Sequence, residues 1–374
     1  MSPIVKPPAD RLRTGSALPP QPGFDNAPAT PATTQPQTQL DQAVADYIAA
    51  RSTAQPIPLS QLTQRFKRLV PAVVQLLYPD PQQTASPRYV CQSLKNESDS
   101  LTVWNGTDTR TSSPVVVYYY SDLSHSQTTQ LLHLCRTLQT HPHAQTVPIL
   151  DSNLLPAGQL RIVCATVNGS TLQHQLTSKR PSARESAELL IPIAQALQHM
   201  HKLGLAHRSL CPENILIEPD SSATFLNCLP LTTTYAYCSP EQAAGELHRV
   251  DHRSDLFTLS VILYEMLTSV RPFAGRTPTL LLQQIAQADA TPPRNVQPSV
   301  PIGLQQICLD NLQRRRTDRC LSAGAVAAKL QHWLQDPSAA SAPSPQIPSL
   351  RLLSPFEADD FEGFPELVDG SRDV

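Results

Sequence analysis

The residues able to do chemistry are densest in the run His207-Arg208-Ser209-Leu210-Cys211-Pro212-Glu213-Asn214. Their types are those of proton transfer and hard-metal binding, but the chemistry is poorly equipped. The Ser209 hydroxyl is no proton acceptor near neutral pH without a base of its own. An amide such as Asn214 or Asn227 gives a hard cation a neutral oxygen, which it favours far less than a carboxylate. The eight cysteines occur singly, with no Cys-x-x-Cys and no paired Cys/His spacing. That argues against a zinc site and a disulfide framework and fits a reducing cytosol. A formal net charge of -2 and a pI near 6.6 give no field to draw in nucleic acid or anionic membrane. The short basic run Arg314-Arg315-Arg316 reads as a solvated helix end.

Three segments, in order along the chain, carry a resemblance. His207-Arg208-Ser209-Leu210-Cys211-Pro212-Glu213-Asn214-Ile215-Leu216-Ile217 is similar to the protein-kinase catalytic loop His-Arg-Asp-Leu-Lys-Pro-Glu-Asn-Ile-Leu. Ala236-Tyr237-Cys238-Ser239-Pro240-Glu241-Gln242 resembles the end of the activation segment in bacterial, Hanks-type Ser/Thr kinases. Asp255 to Thr268, followed by Pro272-Phe273, resembles that family's central helix. The resemblance covers roughly residues 88 to 334 and implies a two-lobed α+β fold, with a small β-rich N-lobe and a mainly helical C-lobe. It further implies a Glu241–Arg319 ion pair, Asp255 pinning the catalytic loop, and His207 packed in the column that joins the lobes.

The same resemblance identifies the chain as a degenerate member, a pseudokinase. Phosphoryl transfer needs a carboxylate base, a Lys held by a Glu on the phosphates, Asp and Asn ligands for Mg2+, and a glycine loop. Ser209 stands at the base. Tyr118 stands at the Lys, and no Glu occurs from Ser121 to Ser170 to partner one. Asn227 stands at the metal-binding Asp, so Asn214 alone remains of the metal set. The glycine loop reads Leu94 to Leu101 without a Gly and with Glu97 and Asp99 where phosphates would lie, which would repel ATP. Two rescue routes are weighed: Lys95 as a relocated lysine, against a surface Lys, and Asp220 as a displaced metal ligand, against a β-turn residue. Should a nucleotide bind at all, Val116 and Leu216 would sandwich the base, Cys164 to Val167 would form the hinge, and Asn214 would be the retained metal candidate of that site. The extra methyls of Val116 narrow that slot. No metal or cofactor is expected, with ATP weak or absent.

These positions need elements to hold them. Strands are expected at Tyr89 to Leu94, Leu101 to Asp108, Val115 to Tyr120 and Gln159 to Val167, with a helix over Thr128 to Leu138. The branched and aromatic run at Val115 to Tyr120 suits a strand covered on both faces. After a turn at Gly169, Ser182 with Glu185 forms a capping box for a helix carrying Leu190, Ile193, Leu197 and Met200, bent by Pro192. A second helix runs from Ser254, its cap, to Thr268 with one apolar face. Upstream, amphipathic stretches at Leu40 to Ala50 and Leu59 to Tyr78 are parted by Pro56 and Pro58. Domain limits follow: a disordered Pro/Thr/Gln-rich arm (1–39), a helical extension (40–87), the kinase-like domain (88–334, N-lobe 88–167, C-lobe 168–334) and a disordered acidic tail (335–374).

The functional expectation is an inactive kinase homologue that binds protein partners as a scaffold or allosteric module. Two alternatives stand beside it: an unusual active kinase or other phosphoryl or nucleotidyl transferase, and a nucleotide sensor without turnover. The tail, with Phe356, Phe361, Phe364 and Leu367 among acids, could lie in a partner's groove or simply solubilise the chain. No apolar run approaches the ~20 residues of a membrane span, and the polar N-terminus is unlike a signal peptide. A soluble, cytoplasmic protein binding neither nucleic acid nor membrane is the reading. Gly is scarce, at 12 residues, and Ser260 and Ser269 occupy positions where the resembled family usually has it.

Overall fold

A computed structural model describes residues 34–50, 58–79, 87–156, 158–219, 224–229 and 235–336. The chain divides into two units, residues 1–77 and 78–374. The first holds α1 (Thr34–Ala50), α2 (Leu59–Arg65) and α3 (Val70–Leu77). Helix α1 begins inside the arm expected to lack structure. Pro36 stands in its first turn, where a missing N–H costs no intrahelical bond. The single helix expected over Leu59 to Tyr78 is two, because Pro71 cannot donate back into the preceding turn, and a 3-10 turn at Lys67–Leu69 bridges the gap.

In the second unit β1 (Tyr89–Glu97), β2 (Leu101–Asp108) and β3 (Ser113–Tyr120) precede α4 (His125–Thr140), β4 (Ile149–Leu154) and β5 (Leu160–Ala165). They form an antiparallel sheet in the order β1-β2-β3-β5-β4. Both faces of β3 are buried. Val116, Tyr118 and Tyr120 enter the main core, while Val115, Val117 and Tyr119 point the other way. Tyr78 belongs with this sheet: its ring stacks on Tyr119 at 3.9 Å, and its hydroxyl shares a 2.6 Å hydrogen bond with Thr102. That contact puts the unit boundary ahead of the 87/88 limit read from the sequence.

The chain then passes the Gly169 turn, where backbone approach is so close that a Cβ would lie 2.2 Å from the Ile217 oxygen. There follow β6 (Ser170–Thr171), α5 (Leu172–Ser178), α6 (Ala183–Lys202), β7 (Ile215–Ile217) and β8 (Thr224–Leu226), with β6-β7-β8 a second sheet. Helix α6 carries the expected Ser182/Glu185 capping box and holds Pro192 in its interior. The rest is helical: α7 (Pro240–Ala243), α8 (His252–Thr268), α9 (Pro278–Gln287), α10 (Pro293–Val296), α11 (Ile302–Asn311) and α12 (Ala323–Gln335). Helix α8 starts ahead of the expected Ser254, because the Asp251 side chain caps it; Ser254 is the third residue of that box. It is also buried all round and not on one face alone, since α6, α10 and α11 pack about it. No helix among the described residues is long and apolar enough to cross a membrane.

Candidate functional site

The cleft residues are positioned from α8 outward. The buried Asp255 carboxylate accepts from the backbone N–H groups of His207 and Arg208, both at 2.8 Å, and pairs with His201 Nε2 at 2.8 Å. Arg208 sits at φ 63°, a left-handed conformation unfavourable for a bulky residue. The Asp255 contact holds it there, helped by Gln242 Nε2 donating to its carbonyl at 2.6 Å. Glu241 and Arg319 form a buried bidentate pair, both bonds 2.9 Å. Burial works against the Glu241 charge, but the Arg319 hydrogen bonds and charge prevail and keep it below the ordinary carboxylate range.

One polar line crosses the cleft. Tyr118 on β3, 6% exposed, accepts a 3.3 Å hydrogen bond from the Asn227 amide just past β8. Burial pushes the Tyr118 phenol up, so it stays neutral. Asn227 Oδ1 accepts from Leu229 N–H at 3.2 Å, and its backbone oxygen lies 2.9 Å from His207 Nε2. The His207 ring is held below the usual imidazole range by burial, which outweighs the pull of Asp255. A neutral ring that donates from Nε2 leaves Nδ1 to accept from Ser209 N–H at 3.4 Å. Phenol, amide and imidazole thus join the two lobes without a formal charge among them.

Around this line Ser209 donates its hydroxyl to the His207 carbonyl at 3.4 Å, and its own carbonyl accepts from Asn214 Nδ2 at 2.8 Å. Asn214 is fully buried, and its Oδ1 has no hydrogen-bond partner. Val116 and Cys164 face each other across β3 and β5; both are buried, with Leu216 and Val167 packed against the same core. The β1–β2 hairpin replaces a glycine loop: Ser98 N–H donates to Leu101 O at 2.8 Å, so this donor is satisfied within the hairpin. Lys95 is exposed on β1, the surface alternative of the two weighed for it, and Asp220 lies outside the described residues.

Among the described residues, the donor set at the cleft does not suit Mg2+. Among the described residues no three His, Cys, Asp or Glu side chains gather as a metal site, and Asn227 has both ends of its amide engaged. Of the two amides at the metal positions, Asn214 alone keeps an unbonded oxygen.

Two contacts escaped the sequence reading. Gln130 on α4 accepts from Arg208 Nη1 at 3.4 Å, and Cys211 stands where the resembled loop has a Lys, its thiol pushed up to about 12 by burial with Glu213 beside it. The Cys211 substitution was visible in the motif; the Gln130 contact had no signal. A cavity of about 510 Å³ opens elsewhere, between α5 and α6, with Leu172, His174, Lys179, Glu185 and Pro192 in its walls. None of the expected cleft residues lines it.

Comparison with known proteins gives a consistent picture. The sequence profile described as protein kinase domain matches residues 102–333. A probable serine/threonine-protein kinase of Clostridium perfringens is 30% identical over 192 residues, covering 47% of this chain and 28% of that protein. The serine/threonine-protein kinase PknB of Mycobacterium tuberculosis is 31% identical over 208 residues, covering 50% of this chain and 33% of its own length. The matched part therefore spans about a third or less of these relatives. Among solved structures, Rad53 residues 1–466 in complex with AMP-PNP aligns with a TM-score of 0.57 at 20% identity, covering 66% of each chain.

Proposed function

This chain belongs to the protein kinase domain family, of the bacterial Hanks type, and from that premise we propose that it no longer transfers phosphate and acts by binding other proteins. One observation carries the reading: the Tyr118 hydroxyl bonded to the Asn227 amide. At these two positions a working kinase places a Lys that holds phosphate and an Asp that holds metal. A neutral phenol cannot replace the first charge, nor an amide already bonded at both ends the second.

The other losses act on separate parts of the reaction. The Ser209 hydroxyl donates to the His207 carbonyl and not to the ring nitrogen, which accepts the Ser209 N–H, and removal of a general base alone costs on the order of 10² to 10⁴ in rate. Loss of phosphate and metal ligation falls on electrostatic stabilisation, usually the largest single contribution. What the chain keeps, the Glu241–Arg319 pair and the Asp255 contacts, maintains a rigid C-lobe surface on which partners can dock.

Thermal unfolding with millimolar ATP, alone and with Mg2+ or Mn2+, tests this. A ligand at 100 times its Kd adds about 2.7 kcal/mol of stability; no shift is expected, and no label should pass from γ-labelled ATP to the chain or to a generic acceptor protein. A metal-dependent shift accompanied by transfer would overturn the reading.

A further inference from the structure

We propose that the acidic aromatic segment from Phe356 to Leu367 of this chain docks on the C-lobe face built from α9 and residues 235–249. The inference does not rest on the loss of catalysis.

The face is apolar. Helix α9 packs against α7 and the 3-10 turn Tyr235–Tyr237, and α7 packs against the 3-10 turn Leu247–Arg249, gathering them in one region. Tyr235, Leu247 and Leu280 are 46%, 72% and 47% exposed there. Of the ten residues of α9 only Ile285 is buried, leaving Leu281 and Leu282 half covered. Scattered exposed side chains need no explanation, but several on adjoining elements form a binding face.

Its rim is basic. Arg276 precedes the α9 cap Thr277, Arg271 lies over the Tyr237 ring at 6.0 Å, and His248 and Arg249 follow Leu247. Three acids oppose them: Glu246 pairs with Arg249 at 2.6 Å, Glu265 accepts from the Tyr237 hydroxyl at 2.7 Å, and Asp289 past the end of α9 pairs with Arg314. The segment Phe356-Glu357-Ala358-Asp359-Asp360-Phe361-Glu362-Gly363-Phe364-Pro365-Glu366-Leu367 is the complement: three Phe and a Leu among five acids, with no basic residue. Such matched charge steers encounter and fixes register, while the apolar anchors supply affinity.

The chain can reach. Phe356 lies twenty positions beyond Asp336, the last described residue, and twenty residues span up to about 65 Å. A lobe of this size has a radius of gyration of only about 15 Å. Tethering at that length gives a millimolar effective concentration, so even an affinity near 0.1 mM would fill the face about tenfold over.

Hydrogen exchange on the intact chain at submicromolar concentration tests the docking. Amides of α9 and residues 247–250 should exchange about tenfold faster in a chain carrying Phe356→Ser, Phe361→Ser and Phe364→Ser, with α6 unchanged. Leu280→Glu, or raising NaCl from 0.1 to 0.5 M, should reproduce the loss of protection. Equal exchange in wild type and tail variant would overturn the proposal. Protection that grows with protein concentration would also overturn it, since the occupant would then be the segment of a second copy.

Discussion

Ser260 is 1% exposed in the middle of α8, and its hydroxyl has no hydrogen-bond partner. A buried polar group left unpaired costs about 1–3 kcal/mol, more than the small void that its removal would leave. Ser260→Ala should therefore stabilise the protein by about 1 kcal/mol, read as a higher urea midpoint at unchanged slope; a lower midpoint would mean that the hydroxyl is bonded. The sequence marked this position as unusual through the resemblance, as it marked Tyr118, Ser209 and Asn227. Each stands inside a recognisable string, so its identity was legible. What the string could not convey is that Tyr118 and Asn227 bond each other across 109 positions, or that the Asn214 oxygen is left alone. Those facts arise from the packing of one lobe on the other.

At the scale of elements, the end of α8 carries a correctable strain. Its C-cap Ser269 sits at φ 63°, where glycine is favoured for want of a Cβ clash. Ser269→Gly should stabilise by about 0.5–1 kcal/mol, measured by thermal or chemical unfolding. Strands β2 and β3 were legible because branched and aromatic residues dominate them. Strand β4 was not: Ile149-Leu150-Asp151-Ser152-Asn153-Leu154 lies at the sheet edge, where polar residues are tolerated and the alternation fades. The start of α8 was misplaced because two neighbouring residues could each cap it, and only the fold decides that Asp251 does while Ser254 turns to Glu241.

Two buried titratable groups, His207 and Glu241, contribute to how the molecule responds to acid. His207 is held below its ordinary 6.5, so the unfolded chain takes up a proton there at higher pH than the folded one. Stability from this group is intact above about 6.5 and falls as pH drops below it, by at most about 1.4 kcal/mol per pH unit. Glu241, held below its ordinary 4.5, contributes above that value and loses its contribution as pH falls through the folded one. Urea unfolding from pH 8 to 4 should therefore be flat at first, decline from about 6.5, and steepen below 4.5. His207→Gln, which keeps a donor for the Asn227 carbonyl, should remove the upper part of the decline; persistence of that part would assign it to another histidine. The uncharged line from Tyr118 to His207 has a consequence of another kind. Where lobes are drawn together by a bound nucleotide, the shape of the molecule reports the supply of that nucleotide. Here a hydrogen bond between side chains, Asn227 to Tyr118, already spans the lobes. On the proposed reading, the information such a protein carries is its own abundance, and whatever controls its synthesis and breakdown controls its message.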